Sequence, residues 1–587
     1  MMPLLPVCLP LFVSWLATAP EPCAHSQRGH ENKDRTRRPN LRAGVLWRVV
    51  LLAWLAIVGL VTIAAAQSDS SSLSGLVSDP SGAAVVGAKV GLRNLATGTR
   101  REALTDAEGR YSFTLLAPGS YEITVEATGF KQYHDARVSL QVAQAEQLNL
   151  QMAIGEATEM VVVEGSVSLI NTQTAALGAV VGQEKIASLP LNGRQFLQLA
   201  LLVPGANGGG RAVQQNTVRQ GQAGGLSVSG GRTNNTAFLL DGAANLDPDY
   251  NSLNYSPSID AIAEFQVQTA AYSAEYGRAS GGQINVVTKS GSNDLHGSAW
   301  EFLRNNKLDA RPFNLVSGDT PKYQRNQFGA TLGAPVVKNR LFTFLAYEGL
   351  RVRQAAANLT TVTVPTQLER QGDFSQTPGG IYDPRTLQNG VRQQFLNNRI
   401  PTDRLNPQAL AAVRALPLPN VGASGYVNAS GILRQDNNNY SGRLDFITKQ
   451  SFTLFGRYSL SNEKALIPDV VPGCDNLNNA RSQNAVLSST AVLSSRLINE
   501  ARFGFSRLRI LNGLPELTFD VAGTPVAIPR FIVAGFPTMG GGGSFTGTTG
   551  GGIVLVRNNT FQLYDNLWLF ANCCKRPQNV VVTNPAF

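Results

Sequence analysis

The hydrophobic residues of this chain follow three rhythms. From Val49 to Ala66 they run without a break for 18 residues. Between 73 and 154 they alternate with polar residues in short runs, split by turn signals at Asp79-Pro80-Ser81-Gly82, Asn94 to Gly98, Asp106 to Gly109 and Pro118-Gly119. In Arg110-Tyr111-Ser112-Phe113-Thr114-Leu115 the apolar positions are i, i+2 and i+4, one side of a strand. Tyr121-Glu122-Ile123-Thr124-Val125 repeats the pattern. About 80 residues of such strands predict a β-sandwich, with Tyr111, Phe113 and Tyr121 in its core and Tyr133 the one candidate for an exposed aromatic. From His296 the alternating runs lengthen, as in Ser298-Ala-Trp300-Glu-Phe302 and Phe452-Thr-Leu454-Phe-Gly456-Arg-Tyr458-Ser-Leu460. In Asn499-Glu-Ala501-Arg-Phe503-Gly-Phe505-Ser, the polar Glu500, Arg502 and Ser506 share the face opposite the aromatics. This period of two predicts membrane-barrel strands, apolar toward lipid and polar toward a wet lumen; a soluble sandwich with one solvated face has the same period. Leu350 to Pro384 and Gln388 to Gly431 read as long polar connections.

Composition supports the barrel. Charged residues are 15%, against roughly 25% in ordinary soluble domains. Mean hydropathy is −0.06 and there are 57 glycines, so small and polar residues replace the missing charge. Beyond the N-terminus no run approaches the ~20 apolar residues of a spanning helix, which excludes a polytopic helical protein. The N-terminal apolar run follows the basic stretch Arg35 to Arg42 and ends Ala64-Ala65-Ala66-Gln67, as a secretory signal peptide does. Cleavage is expected near Ala66, with an uncleaved anchor as the alternative. An earlier apolar stretch, Leu4 to Ala19, lacks a basic n-region, so residues 1–40 are expected to be a spurious extension from a misplaced start.

Other chemistry finds little support. Residues 1–66 carry +4 of the net charge of +10, and the remainder has no basic run, so no nucleic-acid partner is expected. Five cysteines and four scattered histidines, with neither C-x-x-C nor H-E-x-x-H, give no zinc site. Gly540 to Gly552 lacks both G-x-G-x-x-G and G-K-[ST], and no G-x-S-x-G occurs. Asp241, Asp247 and Asp249 have a spacing that suits calcium, but turn chemistry around Pro248 explains them as well. No catalytic set and no cofactor is implied.

Several motifs carry a resemblance. Gly75-Leu-Val77-Ser-Asp79-Pro-Ser-Gly82, Gly87-Ala88-Lys-Val90, Thr105-Asp106-Ala-Glu-Gly109-Arg-Tyr111-Ser-Phe113, Pro118-Gly119-Ser-Tyr121 and Gly129-Phe130 resemble the carboxypeptidase regulatory-like domain, a transthyretin-like sandwich of carbohydrate-binding-like fold. Downstream come Leu189-Pro-Leu191-Asn192-Gly193-Arg194, Leu226-Ser-Val228-Ser-Gly230-Gly231-Arg232 and Phe238-Leu239-Leu240-Asp241-Gly242. Ile262-Ala-Glu264-Phe265, Tyr272 to Tyr276-Gly277-Arg278 and Gly281-Gly282-Gln-Ile284 complete the series. Together they resemble the plug of TonB-dependent outer-membrane receptors, especially the Oar-like subgroup with a sandwich in front. The resemblance implies a mainly β chain: a transthyretin-like β-sandwich, an α+β plug and a partial transmembrane antiparallel β-barrel. It implies plug-motif roles for Asn192, Gly193, Arg194, Gly231, Arg232, Asp241, Gly242, Glu264, Tyr276, Gly277, Gly281 and Gly282. Glu159, Met160, Val161, Val162 and Val163 would be a TonB box, a strand-forming segment that pairs with the periplasmic coupling protein; a plain last strand or linker is the alternative. Glu264, Glu275, Arg278 and Lys289 are expected to meet the lumen wall. Implied partners are a TonB-type protein, outer-membrane lipid and an extracellular solute, with carbohydrate one candidate. The implied location is the outer membrane of a Gram-negative-type cell.

The expected layout is a leader over 1–66, the sandwich over 73–154, a linker with the TonB box over 155–166, the plug over 167–290 and barrel over 296–567. The family's barrel of 22 strands needs far more than the 292 residues from His296 to Phe587, which hold eight to ten strands. The match at Phe561-Gln-Leu-Tyr564-Asp565-Asn566-Leu567 stops at Trp568, and residues 568–587 have the texture of another reading frame. The chain is therefore expected to hold the first part of a barrel. The rival to transport is a carbohydrate-binding surface or adhesion protein that imports nothing.

Overall fold

The computed structural model describes residues 70–155, 160–163, 177–208, 226–248 except 234, 251–270, 277, 279–310, 313, 320–355, 362–407, 410, 413–414, 416–426, 431–448, 452–468, 476–494, 497–513, 518–521, 524–527, 554–569 and 580–582. The leader, Glu159, Asp249, Glu275, Tyr276, Arg278 and the stretch Gly540 to Gly552 lie outside the described residues.

The sandwich comprises β1 (Ser71–Ser78), β2 (Lys89–Asn94), β3 (Arg100–Leu104), β4 (Arg110–Leu116), β5 (Gly119–Glu126), β6 (Gln132–Leu140), β7 (Ala145–Gln147), β8 (Leu150–Gln151) and β9 (Met160–Val163). One sheet runs β4-β1-β7 with β8 also on β1; the other runs β3-β2-β5-β6-β9. Leu73, Val90, Phe113, Ile123 and Leu140 fill the space between them. Tyr111 and Tyr121 are buried there, their hydroxyls donating to Leu148 O and Ala117 O at 2.7 Å. Tyr133, the one candidate for an exposed aromatic, also belongs to this core. Its register partner across the β5–β6 pair is Val125, and cross-strand partners share a face.

The plug comprises β10 (Leu177–Gly182), α1 (Gln183–Ser188), β11 (Ala206–Gly208), β12 (Leu226–Val228), β13 (Ala237–Leu240), β14 (Ala243–Ala244), β15 (Leu246–Asp247), β16 (Ser252–Leu253), β17 (Ile262–Ala270) and β18 (Gln283–Thr288). Its main sheet has the order β10-β17-β18-β13-β14. The apolar stretch before Pro204 is a 3-10 helix, Phe196–Leu202, whose Phe196 meets Phe265 of β17 edge to face at 5.9 Å.

The barrel comprises β19 (His296–Asn305), β20 (Tyr323–Val337), β21 (Leu341–Ala355), β22 (Val362–Thr363), β23 (Gly425–Tyr426), β24 (Ile432–Thr448), β25 (Phe452–Ile467), β26 (Asn476–Ser494), β27 (Leu497–Gly513), β28 (Thr518–Val521), β29 (Thr524–Ala527), β30 (Val554–Leu569) and β31 (Val580–Val582). Nine of these form one antiparallel sheet, β19-β20-β21-β24-β25-β26-β27-β30-β31, which is an open path among the described residues. Strand β30 runs on through the expected break at Trp568 to Leu569, and β31 pairs with its end. Arg457, Ser459, Ser461 and Glu463 are buried on the inner face of β25 while Tyr458 between them is 47% exposed. Glu500, Arg502 and Ser506 of β27 likewise point in, and Phe503 is 43% exposed. On β19 the faces are reversed. Trp300 and Phe302 both lie under the guanidinium of Arg194, a plug residue, so its aromatic face turns inward.

The sheet strands are joined at one end by three short connections (338–340, 449–451, 495–496) and one of ten residues (570–579), and at the other by three long ones (306–322, 356–431, 514–553) and one of eight (468–475), an asymmetry in the sense of outer-membrane barrels with short periplasmic turns. The sandwich lies against the tight-turn end. There the Asn293 amide N–H donates to Ala96 O at 3.1 Å, and its side chain bonds Asn339 at 2.9 Å. The first long polar connection begins later than expected, because β21 continues beyond Leu350 to Ala355. Within 356–431, β22 pairs with β23 and Arg370 closes the base of the loop. Its guanidinium donates to the carbonyls of Pro365 (3.0 Å), Val413 (3.0 Å), Leu416 (2.8 Å) and Pro417 (2.5 Å). Replacing Arg370 by alanine strands these acceptors, at about 1–3 kcal/mol for each that water does not reach. Limited proteolysis of the variant should show cleavage in 365–417 with the barrel strands intact, whereas protection equal to wild type would disprove the clamp.

Candidate functional site: the plug and its seat in the barrel

Strands β13 and β14 are joined by two residues, Asp241 and Gly242, with Leu240 paired to Ala243. Both have positive φ (49° and 72°), as a type I′ hairpin turn requires, and Asp-Gly is a favoured pair for it. A β-carbon on Gly242 would fall 1.4 Å from Nη1 of Arg502 on β27, so glycine also permits the close approach of the lumen wall. Asp241 has no exposure at all. Its carboxylate accepts from Nε of Arg457 at 2.5 Å and from Nη1 of Arg443 at 3.3 Å, both on barrel strands. The Thr288 amide N–H (2.8 Å) and hydroxyl (2.9 Å) also donate to it. Burial works against the charge, but the two guanidiniums and the Thr288 donors outweigh it and hold the pKa below the usual aspartate value. Arg457 is fixed in turn by Ser459 (2.8 Å) and Asn484 (2.7 Å), and Arg443 by Asp445 (2.8 Å) and the ring of Phe455 (4.4 Å).

Polar contacts spread the seat over the inner wall. Tyr255 donates to Asn439 at 2.5 Å, Ser258 to Glu348 at 2.8 Å and Ser482 to the Asn254 carbonyl at 2.6 Å. Gln562 bonds both polar groups of the Ala244 backbone, at 2.8 and 2.9 Å. Asp247 accepts from Asn558 at 2.9 Å. Asp241 and Asp247 are thus engaged by barrel side chains, and among the described residues no group of three His, Cys, Asp or Glu could hold a metal ion.

The comparisons with known proteins agree with this architecture. A family model described as an outer membrane beta barrel domain matches residues 287–571, and one described as a carboxypeptidase regulatory-like domain matches 72–153. The TonB-dependent transporter Oar of Myxococcus xanthus is 30% identical over 325 residues, covering 50% of this chain and 29% of that protein. The chain resembles an Oar-like TonB-dependent receptor. It spans under a third of the length of that curated relative. Among solved structures, the siderophore receptor PirA of Acinetobacter baumannii is similar at 15% identity, over 69% of this chain and 46% of that one, with a TM-score of 0.41. The outer membrane transporter YddB of Escherichia coli is similar at 12% identity, over 68% and 46%, with a TM-score of 0.42. Likeness of that order says nothing about cargo.

The remaining motif residues that lie among the described ones fall into four places. Asn192-Gly193-Arg194 is a 3-10 turn in which Arg194 pairs with Asp260, and Arg325 of the barrel donates to Gly193 O at 3.0 Å. Gly231, Gly281 and Gly282 lie where β12 meets β18; a β-carbon on Gly282 would sit 2.3 Å from Val228 Cγ1. Arg232 is exposed, and Gly277 would have open space around a β-carbon. Glu264 corrects an expectation. It faces the sandwich instead of the lumen wall, accepting from the Val142 amide at 2.5 Å. Lys289 has its pKa lowered by burial, with Asp260 of the plug the charge that opposes the shift. Arg443 and Arg457, the most consequential residues here, were not singled out from the sequence. Their trace there is a cation at inward parity among Ser and Asn.

Removing the Asp241 carboxylate leaves Arg457 buried without its counter-charge, a loss of about 3–5 kcal/mol. In Asp241→Ala the Thr288 amide should exchange hydrogen roughly two to three orders of magnitude faster, and unchanged exchange would show that the pair does not hold the plug. Burial raises the Glu264 carboxyl to about 7, against a smaller lowering by the Val142 N–H. A raised carboxyl favours the docked state when protonated, so this contribution is full below the ordinary glutamate value and is lost as pH rises through about 7. Protection of the Val142 amide, corrected for intrinsic exchange, should fall from pH 5 to 8, and Glu264→Gln should flatten the profile.

Proposed function

We propose that the intact receptor is an outer-membrane, TonB-dependent transporter that imports a solute too large for porins and catalyses no reaction. The observation that carries this reading is the plug's seat. A sheet domain is held in the lumen by ion pairs and side-chain hydrogen bonds to the wall, contacts that can break and re-form without unfolding either part. Solute binds at the extracellular face, and a TonB-type protein, driven by the inner-membrane proton gradient, engages residues 159–163 and displaces the plug. The cargo class is an oligosaccharide, a peptide or a chelate, oligosaccharide or peptide being favoured. The adhesion alternative needs an exposed aromatic platform on the sandwich, and Tyr133, its candidate, lies in the core.

The test is deletion of Glu159 to Val163 from the gene in its native host. Surface binding of the solute should persist while uptake falls to the level of a TonB-deficient strain. Uptake equal to wild type would overturn the reading.

A further inference from the structure

The segment read as the TonB box is the last strand of a sheet. Strand β9 lies parallel to β6, with Gln132 opposite Met160, Tyr133 opposite Val161, His134 opposite Val162 and Asp135 opposite Val163. The sheet order ends at β9, so among the described residues no strand covers its outer edge. An edge strand presents alternate N–H and C=O groups to whatever extended chain comes alongside. The other end of β6 is tied to the plug. Two residues past Leu140, Val142 is fully buried and both its peptide groups are held by side chains of β17. Its N–H donates to Glu264 at 2.5 Å, and its carbonyl accepts from Gln266 at 3.2 Å. Gln266 is itself oriented by the Asn285 side chain, which donates to it at 2.9 Å. Strand β17 is an inner strand of the plug's main sheet, paired to β10 and β18. A continuous hydrogen-bonded path therefore runs from β9 through β6 and Val142 into the plug.

Building on the transporter reading, we propose that a strand of the coupling protein adds to the outer edge of β9 while β9 stays paired to β6. The sandwich is then a force-bearing link, and the pull reaches the plug through Val142, Glu264 and Gln266. The incoming strand is an extended segment flanked by basic residues. Glu159 opens the box, Glu156 and Glu164 flank it, and no lysine or arginine lies between Arg137 and Lys185. Such a pull loads all the β6–β9 hydrogen bonds together along the strands, whereas peeling would break them one at a time.

The test locks β9 to β6 with a disulfide in Gln132→Cys/Met160→Cys, with Cys474, Cys573 and Cys574 replaced by serine. The reduced form of the same variant is the reference. Binding of the purified periplasmic domain of the coupling protein and uptake in cells are measured in both forms. Both should agree within twofold between the oxidised and reduced forms. Loss of either on oxidation, restored by reductant, would mean that β9 must leave β6 and would overturn the proposal. In a second variant, Glu264→Ala/Gln266→Ala, uptake should fall at least tenfold with solute binding and coupling-protein binding retained. Full uptake there would show that force takes another route. Failure of the underlying reading has a different signature: the coupling protein would bind equally well with and without residues 159–163, whatever the redox state.

Discussion

A carboxylate sealed from water must be given its counter-charge by the protein, and Asp241 is given two from a different part of the chain. This requirement organises the centre of the molecule. The Asp-Gly turn has the backbone shape that projects the carboxylate outward. Gly242 keeps clear the space through which Arg502 passes, and strands β24 and β25 place Arg443 and Arg457 at inward parity. A one-residue slip in either strand would turn its arginine toward lipid and leave Asp241 short of a partner. The register of the barrel and the seating of the plug are thus one constraint.

Much of the fold is legible in the residues because it is local. The sandwich turns are marked by glycines such as Gly82 and Gly109 that adopt positive φ, and the parity of Glu500, Arg502 and Ser506 in β27 separates lumen from lipid. The rest depends on contacts between distant positions. Asp241 and Arg457 are 216 residues apart, and nothing near either one names the other. Period two reveals that β19 has an aromatic face, but which way it turns is settled by Arg194 stacking on Trp300. Tyr133 sits among Lys131, Gln132 and His134, a polar setting that suggests exposure until its pairing with β5 is known. Glu264 is acidic and in the plug, which suggested the lumen wall; the surface it meets belongs to the sandwich.

The sandwich has a larger place in the molecule than a domain appended in front. It touches the tight turns of the barrel through Asn293 and Asn339, contacts the plug through Val142 and holds β9 in its own sheet. A cavity of about 210 Å3 remains between it and the inner wall, lined by Leu116, Tyr121, Arg443, Phe455 and Arg502. Movement of the sandwich therefore changes the surroundings of the same arginine that holds Asp241.

The Arg370 clamp has a consequence for how this chain can vary. Its four acceptors are backbone carbonyls, which every amino acid supplies. Side chains at Val413 and Leu416 can therefore be exchanged without removing an acceptor, and the clamp itself makes no demand on which side chains lie between the two ends of the loop. One arginine leaves the outward-facing loop open to diversification while its root on the barrel stays the same.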